Sequence, residues 1–176
     1  MDLPSELTAL RKESRDLPLN ERAELACELA KKLEKAGEYE GAYEAVREFW
    51  PDRASAPEVD GLDDPIKAGL LLRMGALAGC LGSADLTDDS QEEAKNLITR
   101  SVGIFEILGD IPRVAEGRGE LALCYWREGS YDEARIALAN ARDLLGDVDP
   151  ELKAILLIRA GIVEMDSNRL NEAFRF

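Results

Sequence analysis

Apolar residues in this chain fall at helical spacing, as at Leu29, Ala30 and Leu33 or at Leu121, Ala122 and Tyr125. No segment alternates apolar with polar positions over a strand's length. Glycine, proline, serine and aspartate cut the apolar stretches at short intervals, and the cuts mark out helices. Residues 1–20 read as an N-terminal helix. Asn20 is placed to cap a helix over about 21–36 that Gly37 ends. A second runs from about Glu40 to Phe49 and stops at Pro51. Residues 51–63, PDRASAPEVDGLD, read as a polar loop. Asp64 caps the next helix, with Pro65 at its first position, and that helix ends near Gly82. Ser90-Gln91-Glu92-Glu93 has the spacing of a capping box and opens a helix to Leu108, with Gly109 after it. Asp110 and Pro112 start another, which Gly129 ends. Ser130 and Glu133 form a second capping box, for a helix that Gly146 ends. Asp149-Pro150 opens one that breaks near Ser167-Asn168, and the last begins around Arg169.

Each helix ends within a few residues of the next one's start, so antiparallel hairpins are the natural outcome. The break at Gly129 combines a residue that tolerates positive φ with a capping serine for the returning helix. It recurs. GEYEGA (37–42), DSQEEA (89–94), GSYDEA (129–134) and NRLNEA (168–173) align on their final alanines, which lie 52, 40 and 39 residues apart. EILGD (106–110) and DLLGD (143–147) repeat at a similar interval. Two helices per period of that length predict an α-α superhelix.

The residues Leu121, Ala122, Tyr125, Gly129, Tyr131, Ala134, Leu138 and Ala141 resemble a tetratricopeptide repeat. Leu29, Ala30, Leu33, Gly37, Tyr39 and Ala42 resemble a second copy. Ala160, Gly161 and Ala173 suggest a third, and Met74, Gly75 and Ala94 a fourth with an enlarged turn. The resemblance covers residues 21–176 and implies one all-α domain of about four hairpins: 21–50, 64–108, 110–145 and a truncated 149–176. The spacing near 40 exceeds the roughly 34 residues usual for this repeat. Such longer repeats resemble those of bacterial signalling and transcription regulators and of cell-polarity adaptors. The phrases FEILGD and VAEGRGELALCYWREG have that flavour.

Charge narrows the partners. The chain of 176 residues has 36 acidic and 22 basic residues, a net charge of −14, which disfavours nucleic acid and anionic membranes. Residues 36–66 carry nine acids against two bases, which would suit a basic partner, but they read first as a solvated acidic loop. Cys27, Cys80 and Cys124 have neither CxxC spacing nor an even count, which points to a reducing, cytoplasmic setting. The most apolar run, 66–82, holds Lys67 and Arg73 and reads as a buried helix. Within it Gly75 and Gly79 read as contact points for a neighbouring helix.

The search for reaction chemistry excludes more than it finds. There is no histidine, no phosphate-binding glycine loop and no dinucleotide fingerprint. Asp85, Asp88, Asp89, Glu92 and Glu93 lack the alternation of a calcium loop. The expectation is a non-enzymatic chain with no cofactor and no metal.

In the tetratricopeptide family the first helix of each hairpin lines the concave groove. Carried over by alignment on the glycine, the resemblance places Arg73, Glu116, Glu120, Leu123, Trp126, Arg127, Arg159 and Ile162 on or beside that face, with Met165. The Lys and Asn with which some members grip a chain terminus are absent: Gly119 and Leu123 stand there in the best repeat. The function implied is binding of a partner's peptide or helix in the groove. The alternative is a sensory domain of a larger bacterial regulator, holding a small effector or its own output domain. Trp126 is as well suited to packing on the next repeat as to anchoring a partner. The apolar sequences AILLIRAGIVEM and RLNEAFRF suggest a fragment of a longer protein, and a homodimer through residues 150–176.

Overall fold

The computed structural model describes residues 16–85, 90–173 and 175. The expected N-terminal helix lies outside the described residues up to position 15. All regular structure among the described residues is helical: α1 (Leu19–Lys35), α2 (Tyr39–Val46), α3 (Asp64–Asp85), α4 (Ser90–Leu108), α5 (Ile111–Arg127), α6 (Tyr131–Leu145), α7 (Pro150–Asp166) and α8 (Leu170–Ala173).

Two starts follow the capping logic closely. Asp110 accepts from the Arg113 N–H at 3.2 Å and Asp149 from the Leu152 N–H at 3.0 Å, each with a proline in the first turn. Three other starts differ from expectation. α1 begins at Leu19 behind Pro18, and Asn20 instead accepts from the Asp63 N–H at 3.0 Å, tying the loop's end to α1. Ser130 occupies the N-cap of α6, but its side chain makes no capping hydrogen bond. α3 begins at Asp64 itself, with the Lys67 N–H bonded to Asp63 O, and continues beyond Gly82 to Asp85.

The turn at Gly129 works as its sequence suggests. Gly129 has φ of +77°, its N–H donates to Trp126 O, and the Ser130 N–H donates to Tyr125 O, which closes the last turn of α5. At the break before α8, Asn168 takes the left-handed conformation at φ of 60°.

α1 packs on α2, α3 on α4, α5 on α6 and α7 on α8. α1 also touches α3, α3 touches α5, and α5 touches α7, so the first helices of successive pairs meet one another. The tightest pairing is α3 with α4. A β-carbon at Gly75 would stand 2.6 Å from Ile98 Cγ1 and 3.0 Å from Ala94 O, so only glycine permits this approach. Ser101 and Gln91 on α4 donate to the Ala68 and Gly79 carbonyls of α3, each at 2.7 Å.

α2 ends at Val46, three residues before Phe49, and the stretch that follows is more than a solvated loop. Phe49, Trp50, Val59 and Leu62 are buried, the Trp50 indole N–H donates to Ser55 O at 3.0 Å, and the Trp50 ring meets Tyr43 edge-on at 5.6 Å. Alternate apolar and acidic residues let the loop insert side chains while its charges stay in water. Residues 64–82 of α3 are long and apolar enough to cross a membrane, but 67% of that stretch is buried inside the fold.

Candidate functional site

On α5, Glu116, Glu120, Leu123 and Arg127 stand at i, i+4, i+7 and i+11 and therefore share one face. That face looks onto a cavity of about 180 Å³. α1 supplies Lys31, Glu34 and Lys35 to its wall, α2 supplies Tyr39, α3 supplies Arg73, Ala76 and Cys80, and α7 supplies Arg159. Six of the eight expected groove residues thus line one space: Arg73, Glu116, Glu120, Leu123, Arg127 and Arg159.

Arg73 is the centre of the wall. It rises from the apolar α3, is 3% exposed, and donates to Glu34 at 2.6 Å and Glu116 at 2.8 Å. Glu116 also pairs with Lys31 at 2.9 Å. One guanidinium thereby joins α1, α3 and α5. A charge so deeply desolvated is stable only when paired. Both Nη atoms of Arg73 are engaged and the side chain is enclosed, so it shapes the wall, while its buried Nε has no partner among the described residues.

The two carboxylates on Arg73 titrate in opposite directions. Burial pushes Glu34 up to about 7, against the pull of Arg73 and with help from Glu120 and Glu116. Burial acts on Glu116 too, but Arg73 and Lys31 outweigh it and hold Glu116 below its ordinary value. The difference is the number of cations each carboxylate meets. Glu34 Oε1 is buried with no partner, which agrees with a proton residing there near neutrality. Arg73 is raised well above its ordinary value: burial opposes this, and Glu34, Glu116 and Glu120 prevail.

Further along α5, Glu120 accepts from Arg159 at 2.6 Å. Gly119 makes this possible, since a β-carbon there would stand 2.6 Å from Leu156 Cδ2 and 3.0 Å from Arg159 Nη1. Tyr39 lies against Cys80 near Arg127. Cys80 and burial raise the Tyr39 hydroxyl above its ordinary value, so it stays a neutral donor.

Two expected groove residues lie elsewhere. Trp126 packs against the α5–α7 core and donates its indole N–H to Asp166 Oδ2 at 2.7 Å. It acts as a strut between helices, the packing role allowed for it. Ile162 is exposed on α7 beside Ile158 and Met165. Among the described residues no group of His, Cys, Asp and Glu is arranged to hold a metal ion.

Glu34, Lys35, Tyr39 and Cys80 were not among the residues the sequence placed on this face. Glu34 and Arg73 are 39 residues apart, Glu120 and Arg159 are 39 apart, and Trp126 and Asp166 are 40 apart. Glu120–Arg159 and Trp126–Asp166 fall at or within one residue of the 39-residue interval between GSYDEA and NRLNEA and so join equivalent places on α5 and α7, whereas the markers of the first two hairpins stand 52 apart and Glu34–Arg73 follows no such interval.

No protein-family model matches this sequence, and no curated protein matches it. The site has to be read from its own residues.

Proposed function

We propose that the chain is a non-enzymatic protein-interaction module, an α-α superhelix of about four tetratricopeptide-like hairpins. The face made by α1, α3, α5 and α7 receives a peptide or helix from a partner protein. The observation that carries this reading is the convergence of Arg73, Glu116, Glu120, Leu123, Arg127 and Arg159 on one cavity. Support for the superhelix comes from the contacts of first helix with first helix and from the α5–α7 pairs Glu120–Arg159 and Trp126–Asp166 at the repeat interval. Charges lie along the wall, and Leu123 offers apolar contact among them, a combination suited to an amphipathic segment. A cytoplasmic location belongs to the same reading, in keeping with three free cysteines.

A photo-crosslinking residue at position 123 should capture the partner, and one at the exposed Ile107 of α4 should not. Capture at 107 alone would overturn the groove reading.

A second reading, a sensory domain of a larger bacterial signalling or transcription regulator, draws on the small size of the cavity, which suits a compact effector. It requires an output domain in the parent gene. The exposed Ile158, Ile162 and Met165 of α7 also make this helix the favoured surface for self-association through residues 150–176. Light scattering should show a mass that rises with concentration and falls to the monomer in Ile158→Asp.

A further inference from the structure

The charges lining the cavity are internally matched, with one exception. Lys31 pairs with Glu116, Lys35 with Glu151, Arg73 with Glu34 and Glu116, and Arg159 with Glu120. Those contacts engage all three wall carboxylates. Arg127 has no carboxylate partner among the described residues, although it stands half-buried on the same face of α5. Its guanidinium lies against α3: a β-carbon at Gly79 would come to 3.2 Å from Arg127 Nη1, so the glycine leaves it room. Tyr39 and Cys80 share that end of the wall. The wall holds five cations and three carboxylates, a positive excess inside a chain of net charge −14.

We propose that the cavity is a binding site for a single carboxylate, with Arg127 as its ion-pair partner and the Tyr39 hydroxyl as a neighbouring donor. The planar fork of a guanidinium matches a carboxylate in a bidentate pair. The nearby Glu120 disfavours a phosphate dianion, which sets both its charges at the one unpaired cation, whereas a dicarboxylate keeps its second charge several bonds away. Size agrees: about 180 Å³ is smaller than the roughly 300–1,000 Å³ of sites that enclose whole ligands, and suits one side chain or a small organic acid. The chain's repulsive field is largely screened beyond about 8 Å at physiological salt, so the local pair decides. This inference rests on the groove reading only for the source of the carboxylate, an acidic side chain of a partner segment or a free acid.

The test is an NMR titration of the whole chain with N-acetyl-glutamate methylamide, its glutamine analogue, glutarate and inorganic phosphate. The glutamate probe and glutarate should shift the signals of Arg127, Tyr39 and Leu123, with the glutamine probe at least tenfold weaker. Arg127→Gln should abolish that discrimination and Arg127→Lys should retain part of it. Arg118→Gln, which removes an exposed pair with Glu106, should leave it unchanged. A blocked nonapeptide with a central glutamate binding tenfold tighter than glutarate assigns the carboxylate to a partner segment. The reverse order assigns it to a free acid. Equal binding of the glutamate and glutamine probes, phosphate binding tighter than glutarate, or wild-type discrimination in Arg127→Gln would overturn the proposal. Crosslinking at position 123 that persists in that event would leave the groove reading standing without its carboxylate site.

Discussion

The two ends of the molecule are held together differently. From α1 to α4, and into α5, the core is built on large side chains: Leu33, Trp50, Leu70, Leu71, Leu72, Met74, Leu77, Leu97 and Ile98 are enclosed. From α5 to α7 the core is thin and rich in alanine, with Ala115, Ala122, Ala134, Ala141 and Ala160 around Leu138, Leu145, Leu156 and Val163. Exposed apolar side chains cluster at this second end, at Ile136, Val148, Ile158, Ile162, Met165 and Leu170. Burial stabilises by roughly 25 cal/mol per Å² of apolar surface, so the alanine-lined end gains less from it. Polar ties add to it, such as Arg159 to Glu120, Arg135 to Glu164 and Trp126 to Asp166. The lesson is that close helix contact and large apolar burial are separate means of cohesion, and this chain uses them in different proportions at its two ends.

Leu72→Ala tests the first end most severely. Leu72 is fully enclosed, and its removal should cost about 2–5 kcal/mol, read by urea unfolding. A loss below about 1 kcal/mol would show that the leucine-rich core is no tighter than the other.

The pH response should also separate the ends, because the Glu34–Arg73–Glu116 knot belongs to the first. The folded value for Glu34, about 7, lies above its ordinary 4.5, so the folded protein binds this proton more tightly. Its contribution is therefore fully present below about pH 4.5 and is lost as pH rises through 7. Glu116 works in the opposite sense, its contribution fading as pH falls through its lowered value. Glu34→Gln should be pH-insensitive at this site and gain on the wild type by at most about 3 kcal/mol between pH 5 and 8. Parallel stability curves for wild type and variant over that range would show that Glu34 stays ionised.

Ala134→Leu probes the alanine-lined contact. Ala134 has no exposed surface where α6 meets α5, and a larger side chain there should cost roughly 1–3 kcal/mol. An unchanged melting temperature would mean that the second end has slack.

The smallest effect is expected for Trp126→Phe, which keeps most of the ring packing and removes the bond to Asp166. A loss of about 1 kcal/mol should appear, with amide exchange in α7 faster than before. If exchange instead quickens in α3, the polar tie does not belong to the second end.

Much of the fold was legible because its signals are local. Gly37, Gly109, Gly129 and Gly146 take the positive φ their positions called for, and Asp110 and Asp149 cap as their spacing implied. Asn20 and Ser130 failed as caps for a reason the local sequence does not contain: Asn20 met a nearer donor in Asp63, brought there by the loop. The loop itself misled because its overall charge hid Trp50, Val59 and Leu62, whose burial depends on where the neighbouring helices stand.

The candidate site divides along the same line. The sequence alone determined the stripe Glu116, Glu120, Leu123 and Arg127, since helical periodicity fixes which residues of one helix share a face. It also fixed the interval of 39 that aligns Glu120 with Arg159. Tertiary structure alone decided which charges are spent on one another and which remains. The depth of Arg73, the proton affinity of Glu34 and the lack, among the described residues, of a carboxylate for Arg127 depend on how closely four helices approach. That approach is set by non-local contacts such as Gly119 against Leu156, where a single β-carbon would hold the helices apart.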